Sequence, residues 1–182
     1  MGQEFAKSPI DIACWDILGK SLDRPISALI GGVLNERFPI YEAVPLDRPE
    51  AMAEFIRERR RAGINRFQLK VGNNPFDDIA RTRASVEAGD AETVIVADSN
   101  GGWSLAAAKL ALQGLAGLAV YVEQPCRSTA DCILAHRGSS VPLVLDESIV
   151  NHDEVYRAKY EANAVSVNLK FGKLGGLTNV VK

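Results

Sequence analysis

Short apolar runs, each closed by a polar or charged residue, recur along this chain: Arg66–Lys70, Val94–Asp98, Val120–Glu123, Leu143–Asp146 and Val165–Lys170. The closing charges stand at positions 70, 98, 123, 146 and 170, a step of roughly 25 residues that accommodates a strand, a loop and a crossover helix. The intervals carry helical composition. Pro49–Arg61 is rich in Ala, Glu and Arg, and Asp77–Ala88 spaces Ile79, Ala80 and Val86 among charges. Ser104–Leu115 opens on a serine cap, and Ser128–His136 and His152–Tyr160 are shorter helices. Pro39–Val44 reads as a first strand, making six. Ile10–Leu22 reads as a helix, stopped by Pro25 and the Gly31–Gly32 pair. Alternating strands and helices predict an α/β fold with a parallel sheet.

A doubly wound sheet would place a glycine-rich phosphate turn after an early strand. None follows Val44 or Val71 in the required form, and Asn73-Asn74-Pro75 is an ordinary turn. A (β/α) barrel draws its functional residues from the C-terminal ends of several strands, which is where these five charges lie, so the pattern favours a barrel.

Side chains alternate along a strand, so Lys70 shares a face with Gln68, and Lys170 with Asn168 and Ser166. Val165, Val167 and Leu169 form the opposite, apolar face of the last strand and are expected to pack on helices. In a closed barrel the five charges converge at one rim in the order Lys70, Asp98, Glu123, Asp146, Lys170. Three adjacent carboxylates repel and hold one another's protons unless a cation joins them. Oxygen donors without His or Cys suit a hard divalent ion, Mg²⁺ ahead of Ca²⁺. A lysine on each side of a metal-bound carboxylate can remove or return a proton at the adjacent carbon, with the metal stabilising the enediolate.

Composition removes several other classes. The formal net charge of −2 lacks the basic excess of a general nucleic-acid binder. The 47% hydrophobic content is enough for a folded core, and no apolar run reaches the length of a membrane span. Met1–Ser8 carries no signal-type apolar segment, and Cys14, Cys126 and Cys132 lack metal-type spacing. Reduced thiols in a cytoplasmic protein are the expectation. Trp15 and Trp103 read as packing residues, and His136 and His152 as surface residues.

The chain resembles the enolase superfamily in its mandelate racemase/muconate lactonizing branch. The matching stretches are Ser8–Lys20, Gln68–Gly72, Asp98–Trp103, Val122–Pro125, Leu145–Glu147 and Asn168–Gly176, in family order and spacing. The resemblance implies that Asp98, Glu123 and Asp146 are Mg²⁺ ligands on barrel strands three, four and five. It implies that Lys70 and Lys170 form the general acid/base pair, and that Gln68, Asn100 and Glu147 orient the site. One departure stands out. Many relatives of the muconate type have Lys-x-Lys on strand two, where the first ammonium favours the neutral form of the second lysine. Gln68 supplies no such charge. Gln-x-Lys combined with Glu-Gln-Pro-Cys126 is similar to the subgroup acting on proline derivatives. The expected activity is therefore Mg²⁺-dependent abstraction of the proton α to a carboxylate, with dehydration of cis-3-hydroxy-L-proline to a cyclic imine acid favoured. Epimerisation or racemisation of a proline betaine or another amino-acid derivative is the alternative, and an inactive truncated fragment a third reading.

The family barrel has eight strands and an α+β capping domain. By that comparison residues 1–36 are the end of the capping region with a linker helix, and 37–182 an incomplete barrel of about six strand positions. The expected partners are a small carboxylate substrate and, as in many relatives, further copies of the chain, with neither nucleic acid nor membrane.

Overall fold

The computed structural model describes residues 2–182. In chain order its elements are α1 (Glu4–Ser21), α2 (Ile26–Leu29), β1 (Glu42–Val44), α3 (Pro49–Arg61), β2 (Arg66–Lys70), α4 (Pro75–Glu87), β3 (Val94–Asp98) and α5 (Leu105–Leu115). There follow β4 (Tyr121–Glu123), α6 (Thr129–His136), β5 (Leu143–Leu145), α7 (His152–Tyr160), β6 (Ser166–Val167), α8 (Phe171–Leu174) and α9 (Leu177–Val180). They form two compact units. One is Pro39–Asn168; the other is the chain up to Phe38 together with Leu169–Lys182.

Pro39–Asn168 is a six-stranded parallel sheet in the sequential order β1 to β6, an arc of a (β/α) barrel. Helices α3 to α7 pack each against the next along the outside. Their apolar stripes bury the outward residues of the strands: Val44, Phe67, Leu69, Ile95, Ala97, Val122, Leu143 and Leu145. The loops leading into α4, α5, α6 and α7 each end in a short polar residue whose side chain accepts from the first turn. Asn74 takes Phe76 N at 2.9 Å, Ser104 takes Ala107 N at 3.3 Å, Ser128 takes Asp131 N at 3.1 Å, and Asn151 takes Glu154 N at 2.9 Å. These caps fix where each loop stops and hence where the preceding strand ends.

Two expectations need correction at the sixth strand. It is paired only over Ser166–Val167, and Lys170 lies beyond it as the residue preceding α8. Val165 and Leu169 are 59% and 43% exposed rather than packed under helices. The first strand is also shorter than Pro39–Val44, because Pro39 has no N–H for a ladder and residues 39–41 stay outside the sheet. His136 is half-buried, with Nε2 2.7 Å from the Val141 carbonyl oxygen.

In the other unit α1 starts six residues before the expected Ile10 and runs through Pro9, whose missing N–H leaves the Phe5 carbonyl without its intrahelical donor. Trp15 Nε1 donates to Thr178 Oγ1 at 2.9 Å, and Asp11 Oδ2 accepts from Thr178 N at 3.0 Å. A side chain at Gly176, where φ is +123°, would overlap Asp11. Hydrogen bonds from Thr178, side chain first and then backbone, hold the Asp11 carboxyl below its usual range. Its proton affinity is thus lower folded than unfolded. The resulting stabilisation is complete above the ordinary carboxylate range and disappears as pH falls through the depressed folded value. Asp11→Asn should lower the melting temperature by roughly 2–4 °C at neutral pH, with the deficit closing in acid. A deficit that does not change with pH, followed by thermal melts of both proteins, would count against this role.

Candidate active site

The parallel register places the charged strand ends in rungs. Lys70 pairs with Asp98, Asp98 with Glu123, Glu123 with Val144, and Val144 with Ser166, so these five side chains share the face opposite the helices. Asp146 lies two residues beyond Val144, one rung higher, level with Asn168. The three carboxylates are therefore staggered along the rim. Asp98, Glu123 and Asp146 are 1%, 3% and 2% exposed.

Lys70 Nζ is 2.6 Å from Asp98 Oδ2 and 3.2 Å from Asn100 Oδ1. The Gln68 amide nitrogen bridges two carboxylates, donating to Asp98 Oδ2 at 3.1 Å and Glu123 Oε2 at 3.2 Å. Asn168 Nδ2 donates to Glu123 Oε1. Asn100, in the left-handed region with φ +47°, donates from Nδ2 to Asp98 Oδ2 and to Glu147 Oε1, both at 2.9 Å. Burial, reinforced by the neighbouring Asp98 and Asp146 and opposed by the amides of Gln68 and Asn168, raises the Glu123 carboxyl above its usual range.

The structure thus brings together Gln68, Lys70, Asp98, Asn100, Glu123 and Glu147, with Asp146 beside Glu123. Lys170 belongs to the other compact unit. Among the described residues no three His, Cys, Asp or Glu side chains are gathered closely enough to make a preformed metal cage. Amide and ammonium donors satisfy Asp98 and Glu123 instead. The donor set still fits a hard divalent cation. It is all oxygen, it gathers like charges out of water, and Glu147 Oε2 is buried without a hydrogen-bond partner.

Two buried polar residues support this rim that the sequence pattern did not single out. Asp78, in the first turn of α4, accepts from Gly72 N (3.0 Å), Asn73 N (2.9 Å) and Trp103 Nε1 (3.0 Å), tying the loop after Lys70 to the loop after Asp98. Gly72 (φ +105°) is required there, since a Cβ would overlap the Ser99 carbonyl oxygen. The second is Gln124. Its signal was an amide set between a strand-end carboxylate and a proline.

Comparisons with known proteins identify the family. The model of the enolase C-terminal domain-like family matches residues 51–182, and that of the mandelate racemase/muconate lactonizing enzyme N-terminal domain matches residues 1–31. The chain belongs to the mandelate racemase/muconate lactonizing enzyme family of the enolase superfamily. Within that family it is 38% identical to a cis-3-hydroxy-L-proline dehydratase of Roseibium aggregatum over 97% of this chain and 48% of the relative. It is also 38% identical to an N-succinyl-L-Arg/Lys racemase of Bacillus cereus, over 100% of this chain and 50% of the relative. A solved enolase-superfamily member from Roseovarius nubinhibens ISM, complexed with magnesium, superposes with a TM-score of 0.90 at 30% identity, covering 99% of this chain and 49% of that one. The chain spans about half the length of the curated relatives it matches. All three cysteines are free thiols, and among the described residues no helix is long and apolar enough to cross a membrane.

Proposed function

We propose that this chain carries the catalytic rim of a Mg²⁺-dependent enzyme that removes the proton α to a carboxylate, and that its reaction is dehydration of cis-3-hydroxy-L-proline. The observation that supports this reading best is Lys70 seated on Asp98, with Asp98 and Glu123 bridged by one amide on adjacent strand ends. Asp98, Glu123 and Asp146 would hold the ion. When bound, Mg²⁺ supplies Lewis-acid polarisation of the substrate carboxylate, which acidifies the neighbouring C–H bond. Lys70 takes that proton as an amine, and Asn100 Oδ1 orients its nitrogen. The electrons of the broken Cα–H bond form a Cα–C3 double bond as the C3–O bond breaks. The hydroxyl leaves with a proton as water, delivered by the second acid/base group, for which Lys170 is the candidate. The resulting enamine tautomerises to the cyclic imine acid.

The racemase among the relatives, equally similar at 38% identity, supports a second reading in which the two lysines exchange the α-proton without loss of a hydroxyl. Proton NMR in D₂O separates the two. With cis-3-hydroxy-L-proline and Mg²⁺, expressed from the complete reading frame, the protein should release water and form the imine acid. Deuterium appearing at the α-carbon of an otherwise intact substrate would replace dehydration by epimerisation. No change in either cis-3-hydroxy-L-proline or a proline betaine would remove the proline-derivative assignment.

A further inference from the structure

One buried residue behind the rim reaches the segments that follow Asp98 and Asp146. Gln124 directly follows Glu123, is 0% exposed, and holds a left-handed backbone with φ +41°. Its side-chain oxygen accepts from Asp146 N at 2.9 Å, Ser148 N at 3.2 Å and Ser148 Oγ at 3.1 Å. Its side-chain nitrogen donates to Cys126 O at 2.7 Å and contacts Cys132 Sγ at 3.7 Å. Its carbonyl oxygen accepts from Gly101 N at 2.8 Å and from Ser99 Oγ at 2.5 Å, and Ser99 is the residue after Asp98. The side chain of the residue after Glu123 therefore fixes the backbone of Asp146, and its main-chain oxygen holds the loop that follows Asp98.

The geometry points to Gln124 as the positioning residue whose side chain sets where Asp146 stands relative to Glu123. This inference rests on the metal-binding reading of those groups. Like charges at neighbouring strand ends push one another apart, so their spacing has to be imposed from behind by groups that are themselves immobile. An amide is required because both of its ends are used. The oxygen meets two N–H groups and a hydroxyl, and the nitrogen meets a carbonyl. A carboxylate would set an oxygen against the Cys126 carbonyl, and asparagine is one methylene too short to span from β4 to the loop after β5. The side chain acts through Asp146 and does not touch substrate.

The test compares wild type with Gln124→Met, which keeps the volume and removes the hydrogen bonds, using Mg²⁺ titration by calorimetry and hydrogen exchange at individual amides. We expect Gln124→Met to weaken Mg²⁺ binding by about 10–100-fold, and the Asp146 and Ser148 amides to exchange faster. Turnover should recover in large part at saturating Mg²⁺, which a collapsed core would not permit. Ile149→Val, equally buried in the same loop, should lower the melting temperature and leave Mg²⁺ affinity unchanged. Ser148→Ala, which removes one of the three donors and leaves the core intact, should weaken binding by about threefold, so the inference stays testable if Gln124→Met does not fold. Wild-type Mg²⁺ affinity in both Gln124→Met and Ser148→Ala would overturn the role of Gln124 alone. A wild-type protein that binds no Mg²⁺ would overturn the metal reading and this inference with it.

Discussion

Lys70→Met should reduce turnover by about 10³-fold or more while leaving Mg²⁺ affinity unchanged or tighter. The two halves of this expectation have one structural cause. Lys70 Nζ lies 2.6 Å from Asp98 Oδ2, so in the resting arrangement the lysine is the counter-ion of a carboxylate that is 1% exposed. Methionine keeps the aliphatic stem and removes both the proton acceptor and the charge. The reaction loses its base. Asp98 loses a competitor for its oxygens and keeps its other donors, the amides of Gln68 and Asn100. A residue that only packed against the rim would affect both readouts through stability, and the lysine side chain is 44% exposed, too open to be a core support. The measurements are steady-state turnover and Mg²⁺ titration on the same preparation. Turnover within about tenfold of wild type would remove Lys70 from the proposed chemistry. Weaker Mg²⁺ binding would mean that the ion pair preorganises Asp98 rather than competing for it.

Much of this arrangement is legible along the chain, and where legibility fails the reason is physical. The bounds of β2 and β3 follow from apolar runs ending in a charge, and the start of α5 follows from its serine cap, whereas α4 begins at Pro75, two residues before the expected Asp77, because Asn74 in the apparent turn caps it. Alternation also tells which side of β2 Lys70 occupies. It does not tell that Asp146 stands one rung above Glu123, because that depends on the pairing of Glu123 with Val144, a property of two strands together. Lys170 reads as a strand end for a similar reason. The run Val165–Lys170 is apolar and polar in alternation, but pairing lapses after Val167 and the chain turns into α8. The grouping of Leu169–Lys182 with α1 depends on contacts such as Trp15 with Thr178, which lie 163 residues apart and leave no local periodicity. Gln124 lies within the matching Glu-Gln-Pro-Cys segment, but its role is not legible there, because a buried amide between a carboxylate and a proline resembles any loop residue until its five side-chain partners are seen.

Glu123→Gln should abolish measurable Mg²⁺ binding, weakening it by at least about 100-fold, and yet raise the stability of the metal-free protein at neutral pH by on the order of 1 kcal/mol. Glu123 is buried beside Asp98 and Asp146, and its proton affinity is raised above the ordinary range by that burial and by those charges. In the folded protein at neutral pH its ionised form is thus held at a cost, which a cation would offset. Glutamine removes the charge and keeps the shape. The exposed Asn168 can turn its amide over to match, so the hydrogen bonds to Gln68 and Asn168 survive. The sign of the pH dependence follows from the direction of the shift. A raised folded value means that the folded state binds a proton where the unfolded chain does not. Wild type therefore gains stability as pH falls through the folded value, and the advantage of Glu123→Gln shrinks to nothing below the unfolded value. Because Mg²⁺ would displace that same proton, wild-type affinity should rise with pH across the window and level off above it. Thermal melts with and without Mg²⁺ check all of this at once. Wild type should be stabilised by the ion, more so at higher pH, and Glu123→Gln should be indifferent to it. A metal-free Glu123→Gln protein less stable than wild type at neutral pH would show that Glu123 is held as a satisfied hydrogen-bond acceptor, with no stored repulsion for a cation to relieve.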